Sequence, residues 1–253
     1  ISVLSAAFTA TSAVTVTGLN VVDTGNYTTF GQMVIIALIQ FGGLGFMTFA
    51  ILVLTSLQGK MGLSGSMTAQ EALGTHGNQI GSTAKSVIKI AFLTEFLGFL
   101  GLTWCLLPLK GLKDAMYEAF FLSISAFNNS GFALTGDNMT AYVHTPMISF
   151  IISLLIMMGG IGFLVILDVI KHKRWQKFTI HTRVMLLGTL TLNVVGCVLF
   201  WLLERQNSHT LGHLEGAERW FAAWFMAVTA RTAGFNNIDY SQVGDAGTLL
   251  TFI

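Results

Sequence analysis

Long apolar runs alternate with short amphipathic ones along this chain. Residues 30–57, 84–107, 147–170 and 182–203 are apolar over roughly the 20 residues that carry a helix across a bilayer, and a fifth run opens near Thr248. Between them lie residues 2–11, 115–126 and 215–230, which are amphipathic and too short to span. Each leads into a polar or small tripeptide that ends in glycine: Val16-Thr17-Gly18, Asn129-Ser130-Gly131 and Thr232-Ala233-Gly234. The interval from Phe8 to Gly18 recurs from Phe121 to Gly131 and from Trp224 to Gly234, and an aspartate (Asp23, Asp137, Asp239) follows each time. A short helix followed by an extended turn is the form of a re-entrant loop. Such backbone is tolerated at membrane depth only where protein buries it or water solvates it.

The period of about a hundred residues is too long for a solenoid unit and fits a membrane domain built from duplicated modules. Three domains follow. Residues 1–57 hold the loop and second helix of a first module, 84–170 a complete helix–loop–helix module, and 182–253 a third cut short in its second helix. A fourth module is absent, so the chain reads as a partial one. The element Gly42-Gly43-Leu44-Gly45-Phe46 recurs as Gly159-Gly160-Ile161-Gly162-Phe163, each time in the helix after a loop. Close packing by small residues is the preferred reading of these elements, with a hinge as the alternative.

Composition agrees with a membrane setting. The 253 residues are 53% hydrophobic and only 10% charged, against about 25% charged in soluble domains, and mean hydropathy is +0.69. Glycine occurs 27 times and proline only at 108 and 146, which suits tight helix packing. Cys105 and Cys197 sit in apolar runs and read as core or lipid-facing residues. A formal charge of +1 gives no case for nucleic acid. Lys60, Lys85, Lys89, Lys171, Lys173, Arg174, Lys177 and Arg183 border the two loop-free connections. The connections that carry the glycine loops hold nine acids against five basic residues (Lys110, Lys113, Arg205, Arg219 and Arg231). Positive charge marks the cytoplasmic side, so the glycine loops should face outside, where their acids favour cations.

A cation leaving water needs several closely spaced oxygens in its place, and potassium filters supply rings of backbone carbonyls. Turning successive carbonyls one way demands unusual dihedrals, which glycine adopts freely. One such glycine says little; three in register point to one path.

Thr15-Val16-Thr17-Gly18-Leu19, Asn128-Asn129-Ser130-Gly131-Phe132 and Ala230-Arg231-Thr232-Ala233-Gly234-Phe235-Asn236 resemble the filter loops of the Trk/Ktr/HKT superfamily of potassium transporters, most closely the membrane subunits of bacterial Ktr systems. The resemblance covers essentially the whole chain. It implies an all-α integral membrane protein with potassium-channel-like helix–pore-loop–helix modules about a pseudo-fourfold axis. It carries a potassium-binding role to Val16, Thr17, Gly18, Asn129, Ser130, Gly131, Thr232, Ala233 and Gly234. It further implies potassium uptake across the bacterial cytoplasmic (inner) membrane, with sodium as a candidate coupling ion and no organic cofactor. The implied partners are a second copy in a homodimer, membrane lipid and a cytosolic ring of nucleotide-binding regulatory subunits (KtrA-like). A sodium-permeable or mixed carrier is the alternative. In this family a serine at the first loop accompanies sodium permeability, and glycine here favours potassium.

Other residues are weighed alongside. Arg231 reads either as a charge tuning ion occupancy or, preferably, as a donor clamping loop carbonyls. Asn128 and Asn129 read as turn formers or pore donors. Glu95, alone in an apolar run, calls for a partner on another helix. His209 and His213 are spaced to share a helix face but have no third ligand. The run Gly77-Asn78-Gln79-Ile80-Gly81-Ser82 lacks a phosphate-binding lysine, and the basic connections are candidate docking or lipid-anchoring surfaces. No catalytic constellation is visible, so an enzyme is not expected.

Overall fold

The computed structural model describes residues 2–58 and 80–252, whose regular elements are all helices, with no strand among them. Lys60, Glu71, His76, Gly77–Gln79 and the Lys85 side chain lie outside the described part. The order is α1 (Val3–Thr15), α2 (Thr29–Gln58), α3 (Ile80–Lys110), α4 (Leu112–Phe127), α5 (Pro146–Gly160), α6 (Phe163–His172), α7 (Ile180–Glu204), α8 (Gly216–Thr229) and α9 (Asp245–Thr251). Local chemistry sets several starts. Ser2 accepts from Ser5 N (3.1 Å) ahead of α1, Thr179 accepts from Thr182 N (3.2 Å) ahead of α7, and Pro146 opens α5, where its missing N–H costs nothing.

The surface is apolar. α3 exposes Phe92, Leu93, Phe96, Leu97 and Trp104, and α7 exposes Leu187, Leu190, Leu192 and Val195. Such faces suit lipid. Among the described residues α3 (residues 86–110) and α7 are long and apolar enough to cross a membrane, and α5 with α6 is an apolar pair with the form of a broken span or a re-entrant loop. Inside, Leu102, Leu106, Ala119, Leu122, Ile148, Ile152, Leu155 and Phe225 form the largest core. Gly98 lets α3 approach α5 closely: a Cβ there would lie 2.7 Å from the Leu155 methyls.

The short helices α1, α4 and α8 are held by the long ones. α1 packs on α2, α4 lies between α3 and α5, and α8 packs on α7. One relation recurs: α2 also touches α4, and α5 also touches α8, so each post-loop helix supports the next short helix.

Residues 147–170 do not form the single helix expected. α5 and α6 meet at a 93° bend, with Gly162 at φ +93°, a conformation other L-residues rarely adopt. α2 runs on through the matching Gly42–Phe46 element. Close packing is nevertheless present in both copies. A Cβ on Gly42 would strike the Val14 carbonyl, and one on Gly159 the Phe127 carbonyl, at the last turns of α1 and α4.

Candidate ion pathway between the glycine loops

The three glycine loops share one backbone pattern. Val16 (φ 57°), Asn129 (φ 55°) and Thr232 (φ 78°) are left-handed, and so are Gly18 (77°), Gly131 (73°) and Gly234 (71°), two residues later in each loop. The residues between them, Thr17, Ser130 and Ala233, have negative φ. Left-handed geometry costs an L-residue roughly 1–2 kcal/mol, so its presence at three matching positions needs compensation. Alternating the sign of φ can turn successive carbonyls to one side, the counterpart of the anion-binding nest, in which the N–H groups converge.

Backbone bonds and side-chain hydroxyls together fix these turns, Thr17 Oγ1 donating to Ser12 Oγ (3.1 Å) in the first. Thr17 N donates to Ser12 O (3.0 Å) and Ser130 N to Ser125 O (2.9 Å). The Ser130 and Ser125 hydroxyls pair at 2.8 Å, and Ser125 Oγ donates to Phe132 O (2.6 Å). In the third loop Thr229 Oγ1 donates to Phe235 O (2.7 Å) and accepts from Phe235 N (3.0 Å). Each loop is thereby tied back to its own short helix. The negative ends of the helix dipoles of α1, α4 and α8 thus lie at the loops, an arrangement that favours cations.

The loops meet. A Cβ on Gly18 would run into Ser130 O, and one on Gly131 would lie 2.8 Å from Ala233 O and 2.9 Å from Gly234 Cα. Loop two therefore sits between loops one and three. Among the described residues, no donor reaches the carbonyl oxygens of Val16, Thr17, Asn129, Ser130, Thr232 or Ala233. Ser130 and Ala233 are buried, and a buried carbonyl left unpaired is costly. Carbonyl oxygens free of protein donors are able to accept from water or to coordinate a cation.

A cavity lies on either side of the loops. One, of about 800 Å³, is bounded by the residues that enter the loops (Val16, Asn129, Thr232) and by both Gly-Gly elements. The other, of about 580 Å³, is bounded by residues that leave them, Asp137, Asn138, Asn236 and Asp239, together with His209 and His213. The two histidines lie on a turn and not on a helix. No metal-ligand cluster of three or more such side chains occurs among the described residues.

The TrkH family, described as cation transport protein, matches residues 1–253. The chain belongs to the TrkH family. It is 45% identical to the Ktr system potassium uptake protein B of Bacillus subtilis, covering 100% of this chain and 57% of that protein. It is 42% identical to the protein of the same name from Vibrio alginolyticus (100% and 56%), and 36% identical to the potassium/sodium uptake protein NtpJ of Enterococcus hirae (98% and 55%). The chain thus spans little more than half the length of these relatives. Its fold matches the crystal structure of the potassium transporter TrkH from Vibrio parahaemolyticus with a TM-score of 0.72 at 18% identity, over 100% of this chain and 49% of that one. Membership makes this a membrane protein of a cation transporter family and not of an enzyme family.

Side chains in this TrkH-family chain fall out differently from some sequence expectations. Among the described residues, the Arg231 guanidinium donates to Thr189 Oγ1 on α7 (3.4 Å) and clamps no loop carbonyl. Asn129, with its amide turned to satisfy both groups, donates to Ile156 O (3.1 Å) and Ala126 O (3.2 Å). Asn128 and Asn129 are therefore packed into the scaffold. Glu95 has the partners its position called for: Gln40 Nε2 on α2 donates to both carboxyl oxygens (3.0 and 3.1 Å), and Asn128 Nδ2 donates to Oε1 (3.3 Å) and to Gln40 Oε1 (3.1 Å).

Two of the nine acids assigned to the outer connections are buried structural groups. Glu118 on α4 takes Lys110 at 2.5 Å and the Tyr142 hydroxyl. Burial, and then the adjacent Glu118, push the Tyr142 hydroxyl far above its ordinary range, so it remains a donor. Glu204 accepts from Asn207 Nδ2 (2.8 Å), Thr210 Oγ1 (2.7 Å) and Gly244 N (3.0 Å), the last at the start of α9. Asp239 accepts from Ser241 N (2.9 Å) and Ser241 Oγ (2.7 Å), which lowers its carboxyl below the ordinary value and keeps it ionised at the 580 Å³ cavity. Sequence reasoning missed Asn138 altogether. Its signal was an asparagine in a Gly-Asp-Asn turn, a common left-handed site.

Proposed function

We propose that this chain forms part of a potassium path for uptake across the bacterial cytoplasmic membrane, the ion being held by carbonyls of Val16, Thr17, Gly18, Asn129, Ser130, Gly131, Thr232, Ala233 and Gly234. The observation that carries the reading is the set of unclaimed carbonyls on adjoining loops of alternating handedness. A dehydrated cation is the partner such oxygens suit, and the names of the relatives specify potassium. The 580 Å³ cavity with Asp137 and Asp239 then serves as the outer approach, and the 800 Å³ cavity as the inner one. Modules 1–57, 84–170 and 182–253 supply three sectors of a pseudo-fourfold ring, with their loops facing outside.

The test is Gly18→Ser. Its side chain would press on Ser130 O, and the left-handed turn would be strained. Discrimination of potassium over sodium should fall by at least about tenfold, since the backbone strain alone is near one decade and the clash with Ser130 O adds to it. An unaltered ratio of rubidium to sodium uptake would count against the reading. The second reading is a mixed potassium/sodium carrier with sodium as coupled ion, favoured by the name of the Enterococcus relative. Equal transport of both ions by the unaltered protein would select it.

We also infer assembly as a homodimer on a nucleotide-binding cytosolic partner, in keeping with relatives named as members of a Ktr system. The connection from α6 to α7 exposes Lys171, Lys173, Arg174 and Lys177. It is braced by Asp168, which accepts from Thr179 N and Thr179 Oγ1, both at 3.0 Å. Replacing Lys173 and Arg174 with Gln is expected to reduce co-purification of that partner several-fold, because exposed charges steer and hold complementary surfaces. Undiminished co-purification and nucleotide response would leave those charges as lipid anchors.

A further inference from the structure

We propose that Asn138 is a positioning residue that sets cation discrimination by holding the Gly131 and Gly234 carbonyls at a fixed separation. The inference rests on the carbonyl-path reading above. Asn138 lies seven residues beyond Gly131, in a turn where its own N donates to Thr135 O (3.1 Å) and its carbonyl accepts from Thr135 Oγ1. Its backbone is left-handed, φ 55°, a conformation that asparagine tolerates better than most residues. The turn throws the side chain across the boundary between loops two and three.

The amide there is used at both ends. Nδ2 donates toward Gly131 O (3.3 Å) and Gly234 O (3.5 Å), while Oδ1 accepts from Asn236 N (3.3 Å). Met139 N donates to Asn236 O (2.9 Å) beside it. Two carbonyls on one side and an N–H on the other leave one orientation for the amide, since the reverse would face oxygen with oxygen. No other side chain among the described residues donates to the carbonyls of two different glycine loops.

The consequence is electrostatic and geometric. Gly131 O and Gly234 O are the glycine oxygens of neighbouring loops, next to the unclaimed ones. A donor shared between them draws on one lone pair of each and opposes their closing together. Sodium is smaller than potassium and gains most when oxygens close around it, whether selectivity is set by cavity size or by carbonyl field strength. An amide bracing two oxygens from outside thus acts against sodium. The contacts are long, so the effect is a modest one per bond.

Two substitutions separate this role from mere support. Asn138→Gly keeps the left-handed backbone and removes both functions of the amide. Asn138→Asp keeps the acceptor for Asn236 N and removes the donors. In the intact protein, expressed in a host lacking its own potassium uptake, both variants should lose about five- to tenfold in the ratio of apparent KM for sodium to that for rubidium, the sum expected for two neutral hydrogen bonds. The two apparent KM values should move relative to each other, whereas a general loss of structure would lower the uptake of both ions alike. Gly18→Ser is run in parallel. If it loses discrimination while both Asn138 variants keep it, the bracing role is overturned and the carbonyl path stands. If none of the three changes the ratio, the path itself is overturned and the role with it.

Discussion

Gly131→Ser is expected to abolish selective potassium uptake while the protein still reaches the membrane. Gly131 is left-handed at φ 73°, and any L-residue there pays roughly 1–2 kcal/mol in backbone strain. That alone is about one decade in an equilibrium. The added Cβ would also stand 2.8 Å from Ala233 O and 2.9 Å from Gly234 Cα. These are backbone atoms that no rotamer change can move, so loop three must shift away from loop two. Gly131 also borders loop one, through the contact of Gly18 with Ser130 O and Gly131 Cα, and a shift there spreads to all three loops. The same change at Gly234 should be milder, because a Cβ there meets Gly131 Cα only at 3.4 Å. The check is uptake of labelled rubidium and sodium by cells with matched membrane levels of each variant. Retained preference for rubidium in Gly131→Ser, or a larger defect at Gly234, would contradict the arrangement of the loops.

The features that repeat were legible in the chain. Helices α2, α3 and α7 fall within a few residues of their apolar runs, because length and hydropathy decide a membrane helix. The three glycines were legible because backbone geometry restricts residue type most where φ is positive. The 93° bend between α5 and α6 was not. Gly-Gly-x-Gly-Phe occurs twice, yet only the second copy breaks, so the motif permits a bend and its surroundings decide whether one forms. Charges misled for a similar reason. Glu118 and Glu204 looked like any acid of a polar connection, and only packing shows that Lys110, Tyr142, Thr210 and the start of α9 enclose them. Arg231 reaches across to α7, a contact separated by 42 positions that no local pattern encodes. Asn138 is the sharpest case: its partners belong to two loops that meet only in the folded chain.

Glu95→Ala is expected to lower stability more than any other single change on α3. The side chain is 4% exposed and accepts from Gln40 on α2 and from Asn128 at the end of α4. Removing it takes both acceptor oxygens from the half-buried Gln40 amide and one of three from Asn128, where an unsatisfied donor costs about 1–3 kcal/mol. A total near 3 kcal/mol corresponds to a fall in Tm on the order of 5–10 °C for a chain of this size, measurable by fluorescence in detergent. Glu95→Gln keeps the shape and one acceptor oxygen, so its loss should be about half. Gln40→Ala made on top of Glu95→Ala should then cost less than it does alone, because the bond it removes is already gone. Asn128 retains Ile124 O at 2.9 Å in these variants, which holds the entry to loop two. Their potassium preference should therefore suffer less than that of Gly131→Ser. Strict additivity of the Gln40 and Glu95 changes would mean that the two side chains are independent, and that the helix-to-loop brace does not exist.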